Sequence, residues 1–183
     1  DTNHGHVMAA QMEGLPVYHG SVLSDQADEE LELPGIGKLF ALTANDEVNV
    51  LSARHFIHLF GRENLYQLAP ASRPAALASE LRARVLADKV ATYDALQERF
   101  TAGARFKSTL LTERFGIGEW RAEYGEAAVP LLTISESGLV KVATVDQPLS
   151  PKAGDKLLAL TPRLPASGDV EHDTLSNASE VGV

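Results

Sequence analysis

The stretch KLFALTANDEVNVLSARHF, from Lys38 to Phe56, confines the chain to a small set of folds. An apolar run stops at Thr43 and gives way to Asn45, Asp46 and Glu47. Apolar residues then return with helical spacing at Val48, Leu51, Phe56 and Leu59. A short apolar run bounded by a polar turn reads as a buried strand, and the spacing beyond it reads as an amphipathic helix. A strand passing through a tight turn into a helix is half of a crossover unit. Such units build parallel sheets with helices on their faces.

The same theme recurs on either side. HVMAAQMEG is a short helical pattern, and LPVYHG predicts a strand over residues 16–19. An acidic helical stretch over 24–33 leads into KLFALTA, a helix is predicted over 45–60, and NLYQLA supplies a further strand. In open sheets of this kind ligands sit beyond the carboxyl ends of the strands. Those ends carry Gly20 with Ser21, and Thr43 with Asn45 and Asp46. In a dinucleotide fold an acid at the tip of the second strand bonds the ribose hydroxyls, and Asp1 stands where that acid would be. The turn at Thr43 also has a plainer reading, in which Thr, Asn and Asp cap the next helix by accepting its orphan backbone donors.

A boundary follows APASRP, where Pro70 and Pro74 bracket a polar turn and Ser72 is placed to cap a helix reaching about Val85. A second helix is predicted from near Thr92 to Gly103, a residue suited to the left-handed position just past a helix end. The pattern then changes to the strands RFKSTLL, VPLLTI, LVKVATV and DKLLAL, with turns at SESG and SPKAGD. From residue 163 onward, few large apolar residues and much Ser, Asp, Glu and Gly predict a disordered tail.

Composition excludes several function classes. A formal charge of -9 argues against a phosphate-backbone partner, so nucleic acid is not expected. No apolar stretch approaches the roughly 20 residues of a membrane-spanning helix, and no signal peptide is recognisable, so a soluble chain is expected. With no cysteine there is neither a disulfide framework nor a thiolate metal site. No G-x-G-x-x-G, G-x-x-x-x-G-K-[ST], G-x-S-x-G or H-E-x-x-H occurs, and GIG at Gly35 and Gly116 reads as turn punctuation. His55 with His58, and His4 with His6, lack a third ligand at fitting spacing, so no metal site is expected.

DTN, GLPVYHGSVL and LPGIGKLFALTANDEVNVLSARHFIHLFGRENLYQLAP together resemble the TrkA-N, or RCK, domain that follows the membrane part of bacterial sodium or potassium/proton antiporters of the sodium/hydrogen exchanger class. VPLLTISESGLVKVATVDQPLSPKAGDKLLAL is similar to the strand-rich TrkA-C type of module. The resemblance implies an α/β fold: a partial Rossmann-like parallel sheet over 1–70, a helical linker over 71–104, a TrkA-C-like module over 105–162 and a disordered tail over 163–183. It implies a cytosolic regulatory domain with no catalytic residues, at the cytoplasmic face of the bacterial inner membrane. An attached transmembrane antiporter domain and a homodimer are the implied partners, and an adenine nucleotide or NAD(H) the implied ligand. By resemblance Asp1 contacts the ribose, Gly20 and Ser21 the adenine side, and Thr43 and Asn45 the edge nearest the phosphates. The family's first strand and glycine-rich loop have no counterpart in this sequence, so weak dinucleotide binding by these residues alone is expected. The rival readings are a purely structural dimerisation domain with an empty cleft and part of an NAD-dependent oxidoreductase.

Overall fold

The computed structural model describes residues 1–24, 27, 35–71, 83–88 and 91–163. The acidic helix expected over 24–33, most of the helix expected from Ser72, and the tail expected after 163 lie outside them. Within the described residues the fold is mixed α/β, with a three-stranded parallel sheet and a separate four-stranded antiparallel sheet. Among these residues no helix is long and apolar enough to cross a membrane.

Helix α1 (His4–Met12) begins at Asn3, whose side chain accepts hydrogen bonds from the Gly5 and His6 N–H groups. Strand β1 (Leu39–Ala41) leads through the polar turn into α2 (Asp46–Phe60), and a 3-10 turn at Arg62–Asn64 delivers β2 (Leu65–Gln67). Strand β3 (Arg84–Val85) completes a parallel sheet of order β1-β2-β3, with Phe40 opposite Tyr66 and Tyr66 opposite Arg84. Helix α2 covers one face of this sheet. Ala53, Phe56 and Phe60 pack with Leu65 and Ala83, and Val22 and Leu39 close the cluster.

Two expectations are corrected here. The strand predicted over 16–19 belongs to neither sheet; its backbone meets Asp1 instead. The Asp1 amino group donates to the Tyr18 carbonyl at 2.9 Å, and the Gly20 N–H donates to the Asp1 carbonyl at 3.1 Å. Pro16 has no N–H with which to extend a ladder. The helix predicted to reach about Val85 also fails at its end, where Arg84 and Val85 form β3. Pairing with Tyr66 and Gln67 overrides the local helical pattern, as tertiary context does for short segments.

Helix α3 (Tyr93–Thr101) starts at Thr92, whose hydroxyl accepts from the Ala95 N–H, and ends before Gly103. Gly103 takes a φ of +96°, the left-handed conformation expected of that position. Strands β4 (Arg105–Leu110), β5 (Val129–Ile134), β6 (Val140–Val142) and β7 (Lys156–Thr161) form the antiparallel sheet in the order β4-β7-β5-β6. Helix α4 (Ile117–Tyr124) packs Trp120 and Tyr124 against Leu111, Leu157 and Ala159. On the opposite face Leu160 meets Leu96 and Phe100 of α3. The central strand β7 is therefore covered on both sides, which is why LLAL reads as a continuous apolar run. At its neighbour, the Lys107 ammonium donates to the Tyr124 hydroxyl. That bond raises the Lys107 pKa above its ordinary value, against a smaller opposing effect of burial.

The two sheets are joined through backbone. Leu86, one residue past β3, bridges to Thr144; the Ala87 N–H donates to the Ala143 carbonyl at 2.8 Å, and the Val145 N–H to the Val85 carbonyl at 3.0 Å. Arg84 staples the same seam, its Nε lying 3.2 Å from an Asp146 oxygen while its terminal nitrogen donates to Thr144 Oγ1 at 2.8 Å and Gln147 Oε1 at 2.9 Å. Burial works against charge on Asp146, but hydrogen bonds from Thr144 and Arg84 outweigh it and hold the carboxyl below its ordinary pKa. A depressed carboxyl contributes stability at neutral pH that is lost as the pH falls through its folded pKa, below about pH 4. Asp146→Asn should therefore make urea-unfolding midpoints less sensitive to acid between pH 5 and the acid limit. An acid profile identical to that of the parent chain would remove Asp146 from the account of this seam.

Candidate functional site

The predicted residues fall into two groups, of which only the second adjoins the parallel sheet. Asp1, Gly20 and Ser21 come together. The Asp1 backbone brackets His19 through its bonds to Tyr18 and Gly20, and the Asp1 carboxylate accepts from the Asn3 N–H at 2.7 Å and lies 3.3 Å from the His6 ring. Gly20 lies against the Tyr18 ring, where a Cβ would fall 2.7 Å from the Tyr18 hydroxyl and displace that side chain. The Ser21 hydroxyl accepts from the Leu23 N–H at 3.2 Å, and the Ser21 carbonyl accepts from the Ser24 hydroxyl at 2.8 Å. Val22 between them reaches the α2 core.

Thr43 and Asn45 form the second group, in the turn between β1 and α2. The Asn45 side-chain oxygen accepts from the Glu47 and Val48 N–H groups at 2.9 and 3.1 Å, which satisfies two of the orphan donors of α2. Thr43 is tied to Asn49, a residue that sequence reasoning did not single out. Asn49 Oδ1 accepts from the Thr43 N–H at 3.0 Å and the Thr43 hydroxyl at 2.7 Å, and Asn49 Nδ2 donates to the Thr43 carbonyl at 2.9 Å. With 1% exposure, Asn49 is a buried polar residue whose partners are all in this turn. A polar residue at a helical position that spacing assigns to the core was the available signal. Asp46 extends the same network by accepting from the Ala71 N–H at 2.9 Å, tying the loop after β2 to the start of α2.

The electrostatics at this turn are mixed. Asp46 and Glu47 lie in the first turn of α2, where negative charge is favourable to the helix dipole. The same carboxylates oppose a second anion at that helix end. Two of the four N-terminal donors are already engaged by Asn45, so the turn holds itself rigidly and offers few free donors. Among the described residues no hydrogen bond joins Asp1, Gly20 or Ser21 to Thr43 or Asn45, and only the second group lies at an end of a strand of the parallel sheet. His4 lies beside His19, with ring centroids 5.4 Å apart, and His55 meets the edge of Phe56 at 4.7 Å. Among the described residues no three His, Cys, Asp or Glu side chains are grouped to hold a metal ion.

Beyond Thr43 the strand ends turn apolar. Leu42, Leu68 and Leu86 are the first residues after β1, β2 and β3, and all three line one hollow between the sheets. No known protein family, curated protein or solved structure matches the chain.

Proposed function

We propose that the chain is the cytosolic regulatory part of a monovalent cation/proton antiporter, acting through nucleotide binding and assembly of paired copies. The observation that carries this reading is the backbone pairing of Asp1 with Tyr18 and Gly20, alongside the parallel pairing of β1, β2 and β3. The bonds from Asp1 to Tyr18 and from Gly20 to Asp1 have the form of one step of a parallel ladder. In a doubly wound sheet of order 3-2-1-4-5-6, Asp1 and Tyr18–Gly20 correspond to strands 2 and 3, and β1, β2 and β3 to strands 4, 5 and 6. No described residue fills the place of strand 1, which carries the glycine loop in such folds. Asp1, Gly20 and Ser21 then stand on one flank of the nucleotide crevice and Thr43 and Asn45 on the other.

In this reading an adenine nucleotide or NAD(H) shifts the attached transporter only by its differential affinity for the two arrangements of the paired modules. The open edge of β1 is a place where a further strand adds, since exposed edges recruit partners. One observation favours the alternative of a structural dimerisation domain with an empty cleft: the Thr43 and Asn45 side chains are engaged within their own turn.

Transport in membrane vesicles by the full-length gene product separates the two. The expected result is cation-driven proton exchange that responds to nucleotide, with Asn45→Asp changing that response while leaving the melting temperature nearly unaltered. Asp caps a helix about as well as Asn, but it replaces two potential donors with an acceptor-only group. Absence of exchange activity would overturn the antiporter reading. An identical nucleotide response in the Asn45→Asp protein would leave the turn a helix cap.

A further inference from the structure

We propose that the hollow between the two sheets is a binding site for a small, uncharged, ring-bearing molecule, distinct from the nucleotide crevice. Leu42, Leu68 and Leu86, the first residues past the three parallel strands, line it, so it occupies the position at which open α/β sheets take their ligands. The remaining wall comes from α3 and the antiparallel sheet, and no charged side chain contributes to it. The volume is about 180 Å³. An apolar protein cavity of about 150 Å³ is known to stay dry and admit benzene. A phosphate would find neither a cation nor a charge-assisted donor in such a lining, so the site selects against nucleotides.

Two local features point the same way. Strand β5 carries a register shift against β7 between Pro130 and Leu132, which leaves Leu131 as the extra residue, and Leu131 lines the hollow. A bulge re-aims a side chain that regular pairing would place elsewhere, and bulges gather beside functional sites. The second feature is polar. Tyr93 of α3, half-buried in the wall, makes no hydrogen bond through its hydroxyl among the described residues. With Gln97 it is one of two uncharged polar side chains in an otherwise apolar lining, the arrangement that orients a small ligand. At the mouth stand Leu42 and Phe106, 45% and 58% exposed. A second copy is the competing occupant, but a hollow of about 180 Å³ has the size of one small molecule.

This inference concerns the cavity of the chain itself and does not depend on the antiporter reading. Indole is a suitable probe, having a flat apolar ring and one N–H to meet the Tyr93 oxygen. Titrated into the 183-residue chain, it should bind with a dissociation constant on the order of 0.1 mM. The methyl resonances of Leu42, Leu68, Leu86 and Leu131 should move together. Leu96→Phe, which enlarges the wall, should weaken binding by about tenfold or more. Phe106→Ala, at an exposed position that the fold tolerates, should weaken it severalfold, and Leu59→Phe on the exposed face of α2 should leave it unchanged. NADH should not displace the probe. The proposal is overturned if the parent chain gives no saturable indole binding, if Phe106→Ala binds as tightly as the parent, or if NADH competes. Concentration-dependent shifts at Leu42 and Phe106 without indole would assign the hollow to a second copy and overturn it equally.

Discussion

Trp120→Ala should lower the unfolding free energy by about 4 kcal/mol, a large share of the 5–15 kcal/mol typical of a domain. Trp120 is 1% exposed and heads the fully buried side chains by volume, in the layer where α4 meets the antiparallel sheet. Its ring lies 5.3 Å from that of Tyr124, and Leu111, Leu157 and Ala159 surround the pair. Truncation removes the transfer free energy of the indole and leaves a cavity that a helix pinned at both ends cannot close. Among the described residues the buried Trp120 Nε1–H has no hydrogen-bond partner, so its contribution to this layer is volume. Trp120→Phe should consequently cost much less, about 1 kcal/mol, because it relieves an unsatisfied donor while keeping most of the ring. Urea unfolding monitored by circular dichroism measures both. A Trp120→Ala loss under about 1 kcal/mol would show that α4 does not close this core.

Asn49→Ala should cost about 2 kcal/mol, more than the loss of the helix cap at Asn45. Both substitutions act on one turn, but they leave different groups without partners. Losing Asn45 frees two helix N–H groups at an exposed end, where water replaces the bond. Losing Asn49 removes three bonds at once, to the Thr43 N–H, hydroxyl and carbonyl, and places a void at a 1% exposed position. Thr43 itself is exposed, so water recovers part of the loss and keeps the cost below that of a fully buried network. A double-mutant cycle with Thr43→Val isolates the coupling, expected at about 1 kcal/mol. Strict additivity of the two substitutions would show that the Thr43 hydroxyl adds nothing to the hold of Asn49 on the turn.

Much of the fold was legible residue by residue. Asn45 caps α2 where the polar turn predicted it, Thr92 starts α3, and Gly103 takes positive φ at the end of that helix. The four antiparallel strands fall within RFKSTLL, VPLLTI, LVKVATV and DKLLAL. These features depend on information held within a few residues: a side-chain acceptor beside orphan donors, a missing Cβ, an apolar run between turn residues. The short segments were less legible. Residues 16–19 looked like a strand and pair through their backbone with Asp1, outside both sheets, while Arg84–Val85 looked like the end of a helix and is a strand. GIG at Gly116, read as turn punctuation, opens helix α4, held at its start by the Glu119 carboxylate accepting from the Gly116 N–H at 2.9 Å.

The candidate sites divide in the same way. By itself the sequence determined that a polar turn follows β1 and that Asn45 caps α2, because composition and period mark that turn directly. Only the tertiary structure decided that Asn49 binds Thr43, that Leu131 is displaced by a bulge, and that Leu42, Leu68 and Leu86 share one hollow with α3. The physical reason is range. A cap or a glycine turn satisfies backbone groups within about four residues, whereas a two- or three-residue strand has no stability until a distant strand supplies its hydrogen bonds. A hollow between two sheets, likewise, exists only once both sheets have formed.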